Sequence, residues 1–105
     1  MTTDDIEALV RRAIGGDESA VANIIRSADT TSSAIVCAMA ALLQRLPGGL
    51  DRADGLAATS RDRQVVTIAR AALAGDRDRV DALARDHLAD HPDSLIVSWL
   101  ASPDR

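Results

Sequence analysis

"LAGDRDRVDALARDHLADHP", residues Leu73 to Pro92, is the stretch whose reading decides the fold. Gly75-Asp76 is a helix–helix corner: glycine ends one helix in a left-handed conformation and aspartate caps the next. Val80, Leu83, Ala84, His87 and Leu88 then follow the i, i+3, i+4, i+7, i+8 spacing that gathers side chains on one helix face. Pro92 stops the helix. The same residues carry a second reading. His87 and His91 stand one helical turn apart, so both imidazoles could reach one metal ion, with Asp86 or Asp90 nearby. The first reading is an architecture and the second a chemistry.

Outward from this stretch, the corner has an earlier counterpart in "AIGGDESAVANIIRSA", residues 13–28. Laid on itself at an offset of 59, the chain aligns Arg11 with Arg70, Ala13 with Ala72 and Gly16-Asp17 with Gly75-Asp76. Val21 falls on Val80, Arg26 on Arg85, and Ile14 and Ile24 on Leu73 and Leu83. Before the first corner, Ile6, Leu9, Val10, Ala13 and Ile14 share one helix face, and Thr3 and Asp4 offer N-caps. After it, Asp17 caps a helix that should bury Ala20, Val21, Ile24, Ile25 and Ala28. "AIVCAMAALL" then opens a helix running to about Leu46, apolar nearly all round and therefore central.

Pro47-Gly48-Gly49 breaks that helix. "LDRADGLAA" fits either a short helix or a loop, because Gly55 weakens the helix. A helix from about Arg61 to Ala74 leads into the second corner, and "SLIVSWLA" ends the pattern, again apolar almost all round. No run alternates with period two over a strand's length without also fitting a helix. The expectation is an all-α fold of six to seven short helices in a single domain. It comprises two stacked three-helix units, about 3–46 and 61–101, joined by a connector at 47–60. Stacking makes physical sense, since a helical hairpin cannot cover its own apolar face.

In "ALAGDRDRVDALARDHLADHP" the Gly75-Asp76 turn, Val80, Ala84, Leu88 and Pro92 resemble the tetratricopeptide pattern. They correspond to the end of its first helix, its second helix and its closing proline. "AIGGDESAVANIIRSA" is similar but lacks the proline, and the Trp, Gly and Tyr signatures of the family's first helix are missing from both copies. The resemblance covers about two thirds of the chain and implies stacked helical hairpins; a family-type peptide groove does not carry over to two units. "ALVRRAIGGDESAV" also resembles the opening of region 2 in extracytoplasmic-function sigma factors. That likeness stops within about two turns, and the polymerase-binding segment that should follow is absent.

Composition narrows the function classes. Of 105 residues 47% are hydrophobic, yet Phe and Tyr are absent and Trp99 is the one aromatic, so Ala, Leu, Ile and Val must build the core. A net charge of −4 and a lone aromatic give neither the electrostatic footprint nor the stacking platforms of a nucleic-acid binder. The same acidic balance argues against a DNA-binding helix-turn-helix regulator. A single cysteine excludes an internal disulfide and suits a reducing cytoplasm. The acidic start "MTTDDIEALV" is unlike a signal peptide, and the longest apolar run is about half a membrane span. A cytoplasmic protein without membrane partners is expected.

Candidate chemistry is sparse. The His87/His91 pair lacks the intervening glutamate of a zinc protease motif, and the chain has no further histidine. His87 lies on the apolar face, and His91 suits a helix C-terminus as a cation. Cys37 sits in the most apolar helix with no basic sequence neighbour to lower its pKa. Thr3, Ser60 and Ser94 read as caps, and "PGGL" lacks the Lys-Ser/Thr of a phosphate loop. No catalytic residue and no cofactor is expected. The last helix is the more informative feature. A stacked pair of units would sandwich the helix from Ala34 but leave its counterpart followed only by "SPDR". Leu95, Ile96, Trp99 and Leu100 are therefore expected to form an interface, with Trp99 as anchor; the alternative is a helix that plugs the core. These features point to a protein–protein interaction module or homodimer, with a metal sensor or small metalloenzyme using His87 and His91 as the alternative.

Overall fold

The computed structural model describes residues 3–102, and regular structure among them is entirely helical. In chain order the helices are α1 (Thr3–Ile14), α2 (Glu18–Ser27), α3 (Ala34–Gln44), α4 (Gly49–Leu56), α5 (Ser60–Leu73), α6 (Arg77–Asp90) and α7 (Leu95–Ala101). The all-α expectation is met, and "LDRADGLAA" resolves into α4. None of the helices is long and apolar enough to cross a membrane.

Both Gly-Asp corners are built alike. Gly16 and Gly75 hold left-handed φ angles of 95° and 76°. The Gly16 N–H donates to the Ala13 carbonyl and the Asp17 N–H to the Arg12 carbonyl, at 3.1 and 3.0 Å. Fifty-nine residues on, Gly75 donates to Ala72 and Asp76 to Ala71 at the same two distances. Asp17 accepts from the Ser19 and Ala20 N–H groups, and Asp76 from Arg79. Each aspartate thus satisfies donors that a helix start leaves open. Other caps differ from expectation by a residue. Thr59, not Ser60, caps α5 through its hydroxyl, and Ser60 is the first helical residue. Thr3, expected as a cap, already belongs to α1, and the residues before it lie outside the described ones.

α3 is the central helix, with Ala34 and Val36 to Leu42 buried. It packs on α2, α4, α5 and α1. Small side chains permit this crowding: a Cβ on Gly49 would stand 3.0 Å from the Ala41 Cβ, so α4 begins directly against α3. The Arg52 guanidinium ties α4 back to the chain before α3, donating to the Asp29 and Thr31 carbonyls at 3.0 and 2.9 Å. The largest fully buried side chains include Ile24, Met39, Leu50, Ile68, Val80 and Leu100, so the core is aliphatic and Trp99 is only half-buried. Ile25, expected on the buried face of α2, is exposed instead.

The two halves close on each other. The third helix of the first half, α3, lies on α5, the first helix of the second. The third helix of the second half, α7, lies on α1 as well as on α5 and α6. The expectation that α7 lacks cover on one side is therefore corrected. Ile96 and Leu100, expected at an interface, are 3% and 0% exposed within the chain itself. Leu95 and Trp99 are half-buried. The Arg77 guanidinium finishes α7 by donating to the Leu100 and Ala101 carbonyls at 2.7 and 2.8 Å, acceptors a helix end leaves open. The helical packing gives no evidence for a tetratricopeptide-like repeat, and that resemblance rests on the sequence alone.

Candidate functional site

Helix direction sets up two recesses. The starts of α3, α5 and α7 line one of them, through Ala34 and Ile35, Arg61 and Asp62, and Leu95 and Ile96. The ends of the same helices line another, through Leu42 and Leu43, Ala72 and Leu73, and Trp99 and Leu100. The three helices therefore run side by side in one direction, with a recess at each end of the stack.

The larger recess, at the N-terminal ends, is a cleft of about 380 Å³. Its apolar lining comes from Ile6 and Val10 of α1, Ile35, Leu56 at the end of α4, and Leu95 and Ile96. Its charged groups are Glu7, Asp62 and Asp93 against the single guanidinium of Arg61. Arg61 and Asp93 pair at 3.2 Å, joining the start of α5 to the turn before α7. Asp62 accepts from the Ala58 N–H at 3.3 Å. The helix starts here are capped from within: the Ser33 hydroxyl accepts from Val36 and the Thr59 hydroxyl from Asp62. Asp4 and Asp5 occupy the first turn of α1, just before the lining residues Ile6 and Glu7. Carboxylates thus outnumber both the local guanidinium and the partial positive charges of the helix ends, about half a charge each. The cleft is an apolar floor inside an acidic rim.

The recess at the opposite end holds about 190 Å³ and carries Trp99 and Arg45. Arg45 is the C-cap of α3 and adopts φ 54°, ψ 46°, a left-handed conformation usually left to glycine. Beside it Leu46 is 53% exposed, the most exposed large apolar side chain among the described residues. In the sequence Leu46 marks only the approximate end of the helix from Ala34; an apolar residue set between a helix end and Pro47-Gly48-Gly49 is the signal that bears on its exposure.

His87 and His91 behave differently from each other. His87 is 2% exposed, and its Nδ1 donates to Gln64 Oε1 of α5 at 2.7 Å, which leaves Nε2 a buried acceptor without a partner. Burial lowers its pKa below the ordinary value, and the neighbouring His91 and Arg61 push the same way against Asp90 and Asp93. His91 forms the C-cap of α6, its ring centroid 4.9 Å from that of His87. Among the described residues no group of three or more His, Cys, Asp or Glu side chains is placed to hold a metal ion. The histidine pair has no third protein ligand within the described chain. Cys37 is buried, burial pushes its thiol pKa up, and its Sγ donates to the Gly49 carbonyl at 3.6 Å.

Of the four side chains expected at an interface, Leu95 and Ile96 line the acidic-rimmed cleft, while Trp99 and Leu100 line the opposite recess. Comparison with protein-family models, with curated proteins and with solved structures gives no match to this chain.

Proposed function

We propose that this chain is a protein–protein interaction module that receives a short apolar segment of a partner, flanked by basic residues, in the cleft between α1, α3, α5 and α7. The observation that carries this reading is the cleft's composition: an apolar floor from Ile6, Ile35, Leu56 and Leu95, rimmed by Glu7, Asp62 and Asp93. Its volume of about 380 Å³ has room for the anchoring side chains on which interface hot spots depend. Basic groups beside that anchor would meet the rim and gain affinity and encounter rate that weaken with salt.

Selection of random short peptides on the immobilised protein tests the reading. Enriched peptides should combine an aliphatic or aromatic anchor with arginine or lysine, and should bind about tenfold or more weakly to Leu56→Glu and Ile6→Gln variants that melt like the wild type. Acidic enriched peptides, or binding indifferent to both substitutions, would refute it.

A further inference from the structure

The chain carries on its own surface a segment with the character the cleft requires. Leu46 is more than half exposed, follows Arg45 directly, and precedes Pro47. Arg45 has no ion-pair partner among the described residues, and its left-handed backbone turns the chain sharply at the end of α3. Strained non-glycine positions persist where the surroundings enforce them and cluster at functional sites. The strain here sets a basic residue and an exposed leucine together on a tight corner.

This corner cannot reach the cleft of its own molecule. Cleft and corner lie at opposite ends of α3, whose eleven residues span about 16 Å. A second copy can supply it. On the reading that the cleft takes a basic-flanked apolar anchor, we propose that the occupant is the Arg45–Leu46 corner of another copy of this chain. Leu46 enters against Ile35, Leu56 and Leu95, and Arg45 meets the rim carboxylates of Glu7 and Asp62. The interface is heterologous, using a different surface on each partner, so a bound pair still offers one free corner and one free cleft. Such a contact produces a concentration-dependent chain of copies unless its rotation closes a ring.

Sedimentation of the purified protein at tens of micromolar, alongside two variants, decides the matter. Leu46→Glu removes the anchor at an exposed position, and Leu56→Glu blocks the cleft. Wild type should grow past two copies with concentration, less so at high salt. Each variant alone should remain a monomer, its self-association weakened about tenfold or more. Mixed, they should form a complex that stops at two chains, because only one complementary pair of surfaces survives. Ile6→Gln, melting like the wild type, should repeat the Leu56→Glu result if that variant folds poorly. The proposal is overturned by a strictly monomeric wild type, by a wild-type complex that ends at two copies related by the same surface, or by undiminished association of Leu46→Glu. If the cleft still selects basic-flanked peptides that Leu56→Glu loses, the interaction reading stands and only the identity of the occupant is refuted.

Discussion

Replacing His87 with leucine should stabilise the protein, and more so in mild acid. In the native fold the imidazole is neutral: Nδ1–H is bonded to Gln64, and Nε2 is buried with no acceptor nearby to receive a second proton's hydrogen bond. A buried polar atom without a partner costs about 1–3 kcal/mol. Leucine removes that atom at similar volume, and Gln64, which is exposed, returns to water at little cost. A gain of about 1 kcal/mol at pH 7.5 follows. The acid limb follows from linkage. Burial first, then His91 and Arg61, hold the folded pKa below the ordinary 6.5, while Asp90 and Asp93 oppose them only in part. Below that ordinary value the unfolded chain binds a proton that the folded chain refuses, so wild-type stability falls by up to about 1.4 kcal/mol for each pH unit. The decline ends where the folded imidazole also takes its proton. By pH 5 the advantage of His87→Leu should have widened by up to about 2 kcal/mol. Urea unfolding of both proteins at the two pH values reads this as a shift in midpoint at constant m. A variant less stable than wild type at pH 7.5, with an undiminished acid limb, would refute the reasoning. Asp17 does not confuse the window: its hydrogen bonds from Ala20 and Arg12 lower its pKa, so its contribution is lost only as pH falls through the carboxylate range.

Three further outcomes follow from backbone and burial. Arg45→Gly should raise stability by roughly 0.5–1 kcal/mol in thermal melts at low protein concentration, since glycine adopts φ 54° without a Cβ clash. Glycine-to-alanine changes should have opposite signs at two open positions. Gly75→Ala, at φ 76°, should cost about 1–2 kcal/mol, whereas Gly55→Ala within α4 should gain roughly 0.5–1 kcal/mol, because a Cβ meets nothing within 4 Å at either site. Cys37 should resist a thiol reagent at neutral pH until the protein is unfolded in urea, and rapid labelling of the folded chain would contradict its burial.

Much of the architecture is legible in the sequence because local rules govern it. Gly16-Asp17 and Gly75-Asp76 announce their corners through residue types that the geometry demands, and His87 lies buried where the periodicity of α6 places it. The helix at α4 stays open at that level, since Gly55 weakens helix propensity while Leu50 and Ala53, both fully buried, stabilise it through packing that local rules do not contain. The cover on α7 is invisible for a related reason: an apolar circumference states that a helix needs neighbours but not which ones. α6, α5 and, from far away in the chain, α1 supply them, so Ile96 and Leu100 belong to the core. The cleft follows from that same distant packing, as its walls come from helices spread over most of the sequence. The exposure of Leu46 is not legible in the sequence, because exposure of a single leucine is a property of the folded surface.

The contact of α7 with α1 has a consequence for how the chain can be cut and rejoined. An open solenoid frays from its terminal repeat, but here the first and last described helices hold each other, which opposes local unfolding of either one. The pairing that seals the protein is also among its longest in sequence separation, which binds folding of each half to arrival of the other. Separate polypeptides ending and beginning within 47–49 should accordingly be poorly folded alone and reassemble when mixed. Because α7 is only about 10 Å long and lies on α1, a short linker joining these two helices would yield a circular permutant opening at the same break.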